Sequence, residues 1–130
     1  MKYVILIHSN PQPWGHPTSD FVAEHQALPQ DQRDAMTADF EALLTELSDN
    51  GELVGGEALA APSTARLYRW DAGRPVAVDG PYSEAKEHLA GFFLVDVESQ
   101  ARAEAVAARL AGPGETVELR PSMSGGGDDQ

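Results

Sequence analysis

Residues 79–97, DGPYSEAKEHLAGFFLVDV, constrain the fold more than any other stretch of the chain. Gly80 reaches backbone angles closed to side-chain-bearing residues. Pro81 fixes its own φ and pushes Gly80 out of the right-handed helical region. The sequence therefore predicts an extended approach, a sharp turn and a short acidic helical segment with Pro81 in its first turn. Asp79 stands where a carboxylate caps the free amides of Tyr82, Ser83 and Glu84. After Gly91, residues 92–97 are apolar at nearly every position, the pattern of a central strand covered on both faces.

The remaining elements follow from periodicity and punctuation. Residues 2–9, KYVILIHS, read as a first strand stopped by Asn10 and Pro11. A loop rich in Pro and Gly carries Trp14, and Ser19 or Asp20 caps a weakly patterned helix through Leu28. Pro29 opens a helix to about Asp49, with Met36, Phe40, Leu43, Leu44 and Leu47 on one face. Gly51 ends it as a left-handed cap. Residues 52–58 form a second strand, weakened or bulged at Gly55 and Gly56. Residues 64–70 and 74–78 pair across the hairpin turn Asp71-Ala72-Gly73. Ser99 caps a last helix over 100–111, and residues 115–120 form the closing strand, ended by Pro121.

This order is βαββαβ with an extra short strand, an α+β ferredoxin-like sandwich. The helices cover one sheet face. The other is left apolar by Phe92 or Phe93, Val4 or Leu6, and Leu67 or Tyr68. A second copy packing sheet to sheet is expected to cover it, as a homodimeric α/β barrel with a cleft between sheet, helices and partner. Residues 1–121 are expected to form one domain, and residues 122–130 a disordered, acidic, Gly-rich tail.

Composition narrows the functional classes. Nine Lys and Arg face 21 Asp and Glu, a formal net charge of −12. Such a balance argues against direct nucleic-acid binding or an anionic membrane, which require a clustered cationic surface. The absence of cysteine excludes disulfides, thiolate metal sites and thiol nucleophiles. The N-terminal apolar run spans only five residues, and no stretch has membrane-spanning length, so a cytoplasmic protein is expected. No phosphate loop, Ser-His-Asp spacing or nucleotide fingerprint occurs, and His8, His16 and His25 do not fall at metal-ligand spacing. No metal and no cofactor are expected.

Asp79 and His8 are the candidate catalytic pair. Asp79 serves as general base or substrate acceptor if burial or a like charge raises its pKa, and as a helix cap if its partners are backbone amides. His8 ends the first strand, carries a side chain suited to proton transfer, and comes near Asp79 if its strand neighbours the central one. Glu57, after two glycines, either faces the cleft or pairs with Arg120 or Arg66. Arg120 suits a carboxylate ligand through its guanidinium fork. Trp14 acts as a cleft lid or packs back on the body. Tyr82, beside the turn, completes the ligand-binding set of Glu57, Arg120, Trp14 and Tyr82.

Four segments together resemble one family. They are GGEAL at 55–59, VDGPY at 78–82, E-x-KE-x-L-x-GF at 84–92 and VELRP at 117–121. The chain looks like the YCII-related proteins of the DGPF type, with Tyr82 where phenylalanine is usual and Ala90 where a second glycine is usual. The resemblance implies a dimeric ferredoxin-like barrel with an Asp- and His-lined cleft and suspected, unassigned enzymatic activity. It also implies a link to sigma factors and transcription initiation. Asp39 occupies roughly the place of a helix histidine found in part of the wider family. Two functional classes are open at this point. One is a dimeric small-molecule-binding or regulatory module. The other is a cofactor-free isomerase- or lyase-type enzyme using Asp79 with His8.

Overall fold

The computed structural model describes residues 1–82 and 85–123. The ladder is built on β1 (Lys2–Ser9), whose alternation sends Tyr3 and Ile5 into the core and Val4 and Leu6 to the opposite face. Antiparallel pairing places β1 between β5 (His88–Asp96) and β6 (Thr116–Pro121), with Ile5 opposite both Phe93 and Leu119. The strand β2 (Leu53–Ala58) lies on the far side of β5, giving the sheet order β2-β5-β1-β6. This is the strand order of a ferredoxin-like α+β fold.

The helix α2 (Gln30–Asp49) and the helix α3 (Gln100–Leu110) cover one face of this sheet. Leu43 and Leu47 of α2 and Ala103 and Val106 of α3 are fully buried against Tyr3, Ile5, Val95 and Val97. Each such Leu or Ile contributes roughly 1.5–3 kcal/mol. The small Ala103 and Ala107 let α3 lie close to the strands. At the periphery Arg102 donates to Glu52 at 2.8 and 3.0 Å and to Glu46 at 2.7 Å, while Arg109 reaches Glu46 at 3.1 Å. This cluster ties α3 to α2 and to the entrance of β2. The Ser99 hydroxyl accepts the Arg102 amide at 3.1 Å, capping α3 as its sequence predicts. Gly51, with φ 71°, ends α2 in the left-handed region.

Three expectations are corrected. The extra strand is half of a hairpin, β3 (Arg66–Asp71) and β4 (Arg74–Asp79), which forms a sheet of its own rather than joining the main one. Leu67 and Tyr68 therefore contribute nothing to the open face of the main sheet. The helix expected from Pro81 is absent among the described residues: Pro81, Tyr82 and Ala85–Glu87 are irregular, and Ser83 and Glu84 lie outside the described set. The reason is that the ladder continues through Asp79, paired with Arg66, and the Gly80 amide donates to the Ala65 carbonyl at 2.7 Å. The chain thus leaves the hairpin extended. The central strand also begins earlier, at His88, which pairs with Ser9 instead of sitting on a surface helix.

The weakly patterned segment before α2 splits into a 3-10 turn, Thr18–Phe21, and the one-turn helix α1 (Ala23–Gln26). The expected bulge in β2 lies between Leu53 and Gly55. Of the tail expected from Ser122, the Ser122 amide extends the ladder to the Lys2 carbonyl at 2.9 Å. Residues 124–130 lie outside the described set. Among the described residues no helix is long and apolar enough to cross a membrane.

Candidate functional site

A cavity of about 470 Å³ opens between the helix-covered face of the sheet, α2 and the end of α3. Its body is apolar, with Ile7 and Phe93 from the strands, Met36 and Phe40 from α2, and Leu110 from α3. The Phe40 and Phe93 rings meet at 6.4 Å between centroids with 57° between planes, a tilted aromatic contact. Gly56 lies opposite Phe93, where an added β-carbon would stand 2.7 Å from the Phe92 carbonyl oxygen and 3.1 Å from the Phe93 ring. Only glycine lets β2 run this close to β5 at the cavity wall.

Polar side chains complete the lining. The Thr18 hydroxyl donates to Glu115 Oε2 at 2.6 Å, joining the 3-10 turn to the loop before β6. Arg109 borders the opening with its guanidinium held by Glu46. His25 of α1 is 3 % exposed, and neither ring nitrogen has a partner among the described residues. An imidazole placed this way forgoes the hydrogen bonds water would give it, and buried polar groups rarely do so without cause.

The sequence-predicted residues fall elsewhere. Asp79 ends β4 with its side chain 85 % exposed and Arg66 Nε 3.3 Å from its carboxylate. His8 Nε2 lies 2.9 Å from Glu118 Oε1, and Arg120 Nε stands 3.3 Å from the other oxygen of Glu118. His8, Glu118 and Arg120 thus form a small polar row across β1 and β6 on the face without helices. His8 and Asp79 belong to different sheets, and each is engaged elsewhere, His8 by Glu118 and Asp79 by Arg66, rather than with the other. Arg66 and Arg120 are engaged by Asp79 and Glu118, which replaces the pairing with Glu57 expected from sequence. Glu57 is exposed on β2, opposite Phe92, and borders the cavity from the edge of the sheet.

Trp14 is half-buried, and its indole N–H donates to the Leu59 carbonyl at 2.9 Å, which packs its loop back on the segment after β2. Tyr82 is 77 % exposed, with the Arg69 guanidinium 5.7 Å from its ring centroid. Sequence reasoning missed Glu118, Glu115 and Thr18, and passed over His25 except as a metal ligand. The alternation Val117-Glu118-Leu119 was a usable signal, because it puts Glu118 on the face His8 occupies. Nothing local marks His25, which sits on a one-turn helix without apolar periodicity.

The sequence profile of the YCII-related domain matches residues 1–117. The chain belongs to this family. The match spans every element from β1 into β6, so the site lies within the YCII-related domain. An uncharacterized protein of Rhizobium meliloti (strain 1021) is similar at 30% identity over 73 residues, which is 56% of this chain and 59% of the relative. The aligned part therefore spans about three-fifths of that curated relative.

Proposed function

We propose that this YCII-related protein is a small-molecule-binding module whose ligand occupies the cavity beneath α2. The observation that carries this reading is His25, which lines the apolar cavity, buried and with both ring nitrogens unpartnered among the described residues. A cavity of this size and lining suits an organic molecule with an apolar body and a hydrogen-bonding group at one end. The body would contact Met36, Phe40, Phe93 and Leu110, and the polar end would supply the partner His25 lacks. The module acts as a homodimer that shares the helix-free sheet face, where Val4, Leu6, Phe92 and Leu94 line up across the paired strands. The sigma-factor link implied by the family resemblance adds a regulatory output, with ligand occupancy as the input.

Ligand-observed NMR with indole, phenol and benzamide as probes tests the reading. Gly112→Leu is the blocking variant, because a β-carbon at Gly112 meets only the Met36 methyl at 3.8 Å and Glu115 Oε1 at 3.9 Å, so the larger side chain extends into open cavity. At least one probe is expected to bind and to shift the His25 ring resonances, and Gly112→Leu is expected to abolish both effects. Binding that survives in Gly112→Leu, or no binding by any probe, overturns the reading.

A further inference from the structure

The β3–β4 hairpin leaves a chemical question that the cavity does not answer. Its contacts are chiefly between its own two strands, and it shares no ladder with the main sheet. An isolated two-stranded ribbon is marginal in water. The pairing of Tyr68 with Ala77 and of Trp70 with Pro75 puts these four residues on one face, closed at its base by Arg66 and Asp79. Tyr68 is 71 % exposed and Trp70 75 %, the two largest apolar surfaces of the hairpin. Exposed aromatic side chains side by side on a ribbon are the composition of an interface centre.

Charge and area indicate the occupant. Three of the chain's nine cationic residues, Arg66, Arg69 and Arg74, lie in this hairpin beside only Asp71 and Asp79. With three Arg to two Asp, the hairpin carries one net positive charge on a chain of net charge −12, so it is a segment that an acidic second copy attracts rather than repels. The helix-free face of the main sheet has four strands at about 4.8 Å spacing and about six residues of usable length, roughly 400 Å². A stable dimer buries about 800 Å² per partner. Burying a Trp and a Tyr, at about 150–250 Å² each, supplies most of the difference.

We propose that the β3–β4 hairpin is a clasp that closes over the flank of a second copy, laying the Tyr68 and Trp70 face on it. This rests on the homodimer reading above. Sedimentation equilibrium on the full chain tests it, using Tyr68→Ser with Trp70→Ser, and Leu6→Lys as a probe of the sheet face. The wild type is expected to be dimeric, and the double variant to dissociate about 30-fold more readily. Both substituted residues are exposed, so an unchanged circular dichroism spectrum is expected. Trp70 emission in the unsubstituted chain, isolated as the difference from Trp70→Phe, is expected to shift to shorter wavelength as dimer forms. A dimer broken by Leu6→Lys but untouched by the double variant overturns the clasp and leaves the homodimer standing. A Trp70 emission that stays that of a water-exposed indole as dimer forms also overturns it. A wild type that stays monomeric overturns both.

Discussion

Arg66 and Asp79 face each other across the first rung of the hairpin, guanidinium Nε to carboxylate at 3.3 Å, with Asp79 almost fully in water. An exposed pair of this kind contributes about 0.5 kcal/mol. Asp79→Asn is therefore expected to leave the thermal unfolding curve almost unmoved and the affinity for a cavity probe unchanged. Calorimetry and the NMR titration check both. A large loss of affinity would place Asp79 in a site shared between subunits.

The tilted contact of Phe40 with Phe93 forms part of the cavity wall. Phe40 is half-buried, so Phe40→Ala is expected to cost about 2 kcal/mol, below the range for fully buried aromatics. It should also enlarge the cavity and favour bulkier probes over phenol. Gly56→Ala is expected to act in the opposite sense. Its new methyl meets the Phe92 carbonyl and the Phe93 ring, so β2 must move from β5 and probe binding weakens. Chemical denaturation and probe titrations of both variants read the two effects.

Acid should loosen the junction of α2, α3 and β2. Hydrogen bonds from Arg102 hold the Glu52 carboxyl below its ordinary value of 4.5, and those from Arg102 and Arg109 do the same for Glu46. Because the folded-state values are lowered, the stabilisation is present above about pH 4.5 and is lost as pH falls through the folded values. Arg102→Leu removes most of this dependence, leaving only the Arg109 contact on Glu46, and strips the largely buried Glu52 of its guanidinium partner, at a cost of about 1–2 kcal/mol near neutral pH. Urea unfolding of both proteins between pH 3 and 7, with their curves converging toward the acid end, is the expected result.

Ala72 holds φ 52° beside Gly73 at φ 79°, so the hairpin turn has both central residues in the left-handed region. A non-glycine residue there costs about 1 kcal/mol, and asparagine tolerates the region better than alanine. Ala72→Asn is expected to slow amide hydrogen exchange through β3 and β4 without altering exchange in β1 or β5.

The elements were legible because their causes are local. The apolar face of α2, the left-handed Gly51, the Ser99 cap and the hairpin turn each depend on a few neighbouring residues, and each stands where the sequence puts it. Their order already implied a ferredoxin-like sheet, because few topologies satisfy βαββαβ connectivity. Local reasoning failed at Pro81, where a helix start competes with a strand that has not finished. The ladder between Arg66 and Asp79 and the Gly80-to-Ala65 hydrogen bond decided that competition. Tertiary packing buried His25, set Glu118 between His8 and Arg120, and left Asp79 in water on a separate sheet. Burial and pairing across a hundred residues arise from how elements stack, and no periodicity within one element carries that information.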